Sequence, residues 1–219
     1  MARHFFTARA GGVSVNEYSS LNLALHVGDD ENSVITNRKI LSSLTSVNQI
    51  IFMNQVHGNR VVRVSAQMID TPEADAIITT DKSLGLVVQT ADCLPILVDG
   101  GGVVGAIHVG RRGLLNGIIE KTIGLIVAQG GRDIKATIGP AICGKCYEVD
   151  EETYKNIITD YPVGNAGFRH IDIREIASEQ LRNMGCIVNN LKICTREDEN
   201  YFSYRRNNVT GRQAGVISL

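Results

Sequence analysis

A layered α+β domain, strands inside and helices outside, is what the sequence predicts, on three observations. Several short runs in the middle of the chain are almost wholly apolar, as expected of strands covered on both faces. Segments of helical period flank this block at both ends rather than alternating with every strand, which favours strand layers covered by helices over a simple βαβ repeat. No linker, repeat or low-complexity stretch divides the 219 residues, and 43% of them are hydrophobic. That is enough apolar content for one substantial core, so residues 1–219 read as a single domain.

The elements follow in order. RHFFTAR reads as a first strand, closed by AGGVS, whose paired glycines permit a tight turn. DDENSVITNRKILSSL reads as a helix: Asp29 or Asp30 caps it, acids occupy its first turn, and Val34, Ile35, Arg38, Leu41 and Leu44 recur at helical spacing. Short β-rich runs come next (IIFM, RVVRV, ADAIIT, LGLVVQT, PILV and VVGAIHV), with turn residues between them. GLLNGIIEKTIGLIVAQGG is predicted as one helix with Leu115, Ile118, Ile119, Thr122 and Ile126 on one face and a glycine pair ending it. IKATIGP reads as a strand, DEETYKNIITDY and IREIASEQLRNMG as amphipathic helices, and IVNNLKICT as a return to strand.

Composition narrows the class of partner. A net charge of −1 gives no broad basic field, which argues against nucleic acid or an anionic membrane surface as the main partner. The start, MARHFFTARAGG, has no apolar run of signal-peptide length, and no stretch of about 18 apolar residues predicts a membrane span. Five cysteines, an odd number without disulfide-scaffold density, fit a reducing compartment. The expectation is a soluble cytoplasmic protein that acts on small molecules.

Three residues stand out by type and position: His57 in NQVHGNR, Cys93 in TADCLP and His108 in AIHVGRRG. Each lies at or near a predicted strand end beside a turn element, Gly58, Pro95 or Gly110, so the three can converge on one edge of a sheet. Two imidazoles and a thiolate form a half-shell suited to zinc, with a fourth position open for water. A lone Cys in an apolar strand is also an ordinary small core residue, and a lone His an ordinary hydrogen-bonded one, so spacing alone leaves both readings open. Asp92, beside Cys93 and read as part of an apolar strand, would be costly there without a partner, and it suits a base or a partner to a metal ligand.

Arginines supply candidate anion sites. The Gly110–Gly113 turn before a helix, with Arg112 beside it, offers backbone N–H groups to an anion. In REDENYFSYRRNNVTGRQAGVI the bland reading is a solvated, charged C-terminal loop, and the sharper one sends Arg205 into a pocket to hold a phosphate bidentately. Arg9, after the first strand, is a further phosphate candidate. The CGKC at Cys143–Cys146 has no second CxxC, since Cys186 and Cys194 are eight apart, and no thioredoxin-like context; it reads as a structural turn with two incidental thiols.

NQVHGNRVV, EADAIITTDKSLGLVVQTADCLPILV, GAIHVGRRGLLNGII, IGPAICGKCYEV and YFSYRRNNVTGRQAGVI, with FTARAGGVS and SLNLALHVGDDENSVITNR near the start, resemble the YfiH family over almost the whole chain. Its members go under the names laccase-domain protein, polyphenol oxidase and purine nucleoside phosphorylase. The resemblance implies an α-β-β-α sandwich with mixed sheets. It implies one catalytic zinc on the residues here numbered His57, Cys93 and His108. It also implies phosphorolysis of adenosine, inosine and S-methyl-5′-thioadenosine, with adenosine deamination alongside, and leaves room for a homodimer. For deamination, water activated at such a zinc would attack the purine carbon bearing the amine while a carboxylate such as Asp92 moves the proton.

One departure concerns the pocket. The family often has HAGWRG where this chain has HVGRRG, so Arg111 replaces an aromatic residue, and the chain has no Trp. The expectation is weaker base stacking and stronger anion binding. Rival readings are copper oxidation of phenols, a thiol amidase or hydrolase with Cys93 as nucleophile and His57 or His108 as base, and a closed structural zinc site completed by Cys143 or Cys146. Multicopper sites need many imidazoles; the chain has five, and His4, His26 and His170 lie in segments without ligand-like context, which leaves copper as an adventitious substitute at the trio.

Overall fold

The computed structural model describes residues 2–68 and 70–219. Its regular elements run β1 (Arg3–Phe6), α1 (Glu31–Ser43), β2 (Gln49–Ile51), β3 (Val61–Arg63), β4 (Ala76–Thr79), β5 (Leu84–Thr90), β6 (Leu94–Asp99), β7 (Val104–Val109), α2 (Arg111–Leu115), α3 (Ile118–Ala128), β8 (Lys135–Ile138), α4 (Glu151–Asp160), α5 (Ile173–Asn183), β9 (Ile187–Asn190), α6 (Tyr204–Asn207) and β10 (Gln213–Ser218). The strands form a four-stranded sheet, β1-β10-β5-β2, and a six-stranded sheet, β3-β4-β7-β6-β8-β9. Both are mixed: β2 with β5, β3 with β4 and β8 with β9 are parallel, and the other pairs antiparallel.

Side-chain alternation in the apolar strands creates the layers. Leu86 and Val88 of β5 face inward and pack with Leu97, Ala106 and Ile217 between the two sheets. Val87, between them in sequence, faces outward and packs with Leu41 of α1 and Val216. On the larger sheet, Ile96 and Val98 face the other way, onto Ile119, Ile123 and Ile126 of α3 and Ile176 and Leu181 of α5. The stack is therefore helix, sheet, sheet, helix, the α-β-β-α order the family resemblance implies. No helix among the described residues is long and apolar enough to cross a membrane.

The helix starts are chemically specified. Asp30, Asp150 and Asp172 accept backbone N–H bonds from Ser33, Thr153 and Arg174, caps worth about 1 kcal/mol each. Three local expectations are corrected. The predicted single helix after Gly113 is two, because Gly117 adopts φ 77°, a left-handed turn that glycine enters at little cost, and it leaves Leu115 exposed. In α1, Ile35 and Leu44 are exposed, whereas Asn37 is fully buried: its amide donates to the carbonyls of Ser20 and Asn22 and accepts from Val13 N–H, so hydrogen bonding rather than hydrophobicity decides that face. The end of the charged C-terminal segment is the buried strand β10, paired on both sides.

Candidate active site

His57 comes from the loop between β2 and β3, Cys93 from the turn between β5 and β6, and His108 from β7. The structure brings all three together. Cys93 Sγ lies 3.7 Å from His57 Nε2, and one potential ligand atom from each residue falls within 4.8 Å of the other two. The imidazoles meet edge to face, with ring centroids 4.7 Å apart. Gly110 makes this approach feasible, since a Cβ there would stand 2.8 Å from His57 Cδ2. His57 and Asp92 both hold positive φ, 59° and 94°, which costs a non-glycine residue about 1–2 kcal/mol and is typical of functional sites.

Asp75 organises the group and is absent from the sequence-derived candidates. It is completely buried, accepts from His108 Nδ1 at 2.7 Å, and takes the backbone N–H groups of His57 (2.9 Å) and Gly58 (2.7 Å). Its carboxylate therefore shapes the His57 turn and presents His108 Nε2 toward the centre, the carboxylate–histidine arrangement found behind metal ligands. Burial works against this charge, but the bonds from His108 and Gly58 outweigh it and hold Asp75 below the usual carboxylate range. The signal was available: a lone Asp inside ADAIIT carries the same cost that drew attention to Asp92.

Cys93 and His108 shift each other's titration in opposite directions. Burial pushes the Cys93 thiol up, yet the charge of His108 and hydrogen bonds from both imidazoles bring it down to about 6. Burial likewise opposes charge on His108, but Cys93 and Asp75 raise it to about 9. Two nitrogen donors and one sulfur donor, oriented by a buried carboxylate and with one side facing a cavity, fit a metal with an open coordination position.

That cavity has a volume of about 400 Å³, within the range of small-ligand sites. The three converging residues line it together with Arg111, Arg112, Arg205 and Arg212, and Tyr147, Ile142 and Tyr204 add apolar wall. Gln89 and Thr90 are also among its lining, and Gln89 Nε2 and Thr90 Oγ1 are buried without a hydrogen-bond partner among the described residues. His26, set aside as lacking context, lines the same cavity; burial and the nearby charges of Arg212 and Arg38 lower its pKa.

Arg9 is a correction. Its Nε donates to Ser19 O, its guanidinium lies over the Phe202 ring, and it borders a separate surface depression. Asp92 lines the cavity from a turn rather than a strand, and both its oxygens are engaged: Thr195 Oγ1 donates to one at 2.7 Å and Arg205 N–H to the other at 2.6 Å. It braces the C-terminal segment against the Cys93 turn, and the carboxylate that bonds His108 is Asp75. Arg112 and Arg205 do reach the cavity, and Gly110 opens α2 rather than a free loop. Cys143 and Cys146 do not complete the trio; they form a second group with Cys194 and Glu197.

Fold and site together define a class: four-layer α+β proteins with a two-histidine, one-cysteine centre opening on an arginine-rich cavity. Residues 3–219 match the family model described as multi-copper polyphenol oxidoreductase laccase. A Corynebacterium glutamicum protein named purine nucleoside phosphorylase is 39% identical over 99% of this chain and 94% of its own length. Crystal structures of a Neisseria meningitidis protein and of the Bacillus licheniformis hypothetical protein YfiH each superpose with a TM-score of 0.90. They are 33% and 27% identical, covering 100% of this chain and 94% and 92% of theirs. The chain belongs to the YfiH family.

Proposed function

We propose that the protein is a zinc-dependent purine nucleoside phosphorylase acting on adenosine, inosine and S-methyl-5′-thioadenosine, with adenosine deamination as an accompanying activity. The observation that carries this reading is the open side of the His57–Cys93–His108 centre, which faces a nucleoside-sized cavity lined by arginines. The names of the family relatives support it. A zinc ion on His57, Cys93 and His108 would supply a Lewis acid within that cavity.

The chain's own groups do the rest. Arg111, Arg112 and Arg205 gather phosphate, and the Arg205 backbone is fixed by Asp92 while its side chain bonds Glu148 O. Phosphate attacks the anomeric carbon of the ribose as the bond to the purine breaks. The bond's electron pair stays on the base, and the proton phosphate gives up ends there. Gln89, Thr90 and His26 are polar residues lining the space for the nucleoside, and Tyr147 with Ile142 provides an apolar face for the purine. Five histidines, with His4 bonded to Thr137 and His170 to Phe168 O, supply too few imidazoles for a multicopper cluster, which favours zinc.

The test is product analysis. Protein is incubated with adenosine, with and without phosphate and with and without a chelator. Adenine formed only with phosphate, and lost on chelation until zinc is restored, is the expected result; inosine formed without phosphate reports the deaminase. Adenosine recovered intact under every condition overturns the purine assignment.

A further inference from the structure

Away from the cavity, Cys143, Cys146 and Cys194 are buried and meet Glu197 so that one ligand atom from each lies within 4.8 Å of the others. The first two come from the CGKC turn, closed by Cys146 N–H to Cys143 O, and the second two from a turn closed by Asp198 N–H to Cys194 O. Cys143 N–H donates to Cys194 Sγ at 3.3 Å, and Cys146 Sγ donates to Glu197 Oε1 at 3.5 Å. We propose that these four residues form a second, structural metal site that takes a zinc ion, distinct from the cavity centre.

Tetrahedral sulfur ligands about 2.3 Å from zinc stand roughly 3.8 Å apart, a small contraction from the observed cluster. Four protein ligands make a closed site, in contrast to the three at the cavity. An amide N–H aimed at a cysteine sulfur is the support a thiolate ligand needs. Charge is balanced from behind by Arg174, which pairs with Asp172 through Nε and Nη2 while its Nη1 is buried without a partner among the described residues. Asp172 in turn accepts the Gly144 N–H in the middle of CGKC.

The site has a structural task. Ile142 and Tyr147 flank CGKC and line the cavity, and Thr195, next to Cys194, holds Asp92. A zinc there clamps together the two loops that make one wall of the pocket.

The test uses full-length Cys93→Ser protein, reduced, stripped with chelator and titrated with Co(II), then Zn(II). One equivalent of cobalt with thiolate charge-transfer absorption and tetrahedral visible bands, displaced by zinc, is expected. Absence of those bands overturns the proposal, as does their persistence when Cys146→Ser is added. Should that double variant fail to fold, Glu197→Gln replaces an exposed side chain; it should weaken zinc binding on the order of tenfold or more, and unchanged affinity overturns the proposal. In wild-type protein, elemental analysis should count one zinc more than in Cys146→Ser protein, and equal counts overturn it.

Discussion

The two cysteine-bearing clusters differ in almost every property that governs metal chemistry. The cavity cluster mixes two imidazoles with one partly exposed thiol and is organised by the buried Asp75. The other gathers three buried thiols and a carboxylate on two loops and has no share of the cavity lining. Their thiols respond in opposite directions: imidazoles draw Cys93 down to about 6, whereas burial among other sulfurs pushes Cys146 up to about 12. The same residue type is thus shifted toward the thiolate in one place and toward the thiol in the other by its neighbours. The open cluster has the features of a working site, and the closed one those of a clasp.

The largest test of that contrast is Cys93→Ala. Removing a ligand from the open centre should lower kcat/KM for phosphorolysis on the order of 10³-fold, by steady-state kinetics, while the thermal midpoint moves by only a few degrees. Loss of the fold instead would erase the distinction between the clusters. Asp75→Asn should weaken zinc binding at the cavity about 10–100-fold, measured by competition with a chromophoric chelator, since His108 loses its anionic partner. Arg205→Lys, which loses the planar fork, should raise KM for phosphate about tenfold with a smaller change in kcat. Cys194→Ala should act in the opposite sense: about 1–2 kcal/mol of stability lost in urea unfolding, with kcat altered less than threefold or so. If kcat falls as far as in Cys93→Ala protein, the closed cluster is not a clasp.

The layered fold and the cavity trio were legible because strand periodicity and residue chemistry are local. His57, Cys93 and His108 are rare residue types beside turn residues, and the geometry gathers them. What was illegible depended on partners distant in sequence. Cys194 joins CGKC across some fifty residues, and no spacing rule covers that separation. His26 reaches the cavity from an irregular segment with no periodicity to read. Arg9 has the right chemistry, but a carbonyl and an aromatic ring claim it elsewhere. Strand β10 hid inside a stretch whose charges drew attention away from its apolar end.

The place of β10 also ties together segments that are far apart in sequence. β1 pairs with β10, and β10 with β5, so residues 213–218 cover two strand edges at once. Asp92 is held by Thr195 and Arg205, each more than a hundred positions later. The Cys93 turn is therefore braced by a segment more than a hundred residues away, and the cavity exists only as a product of the whole fold.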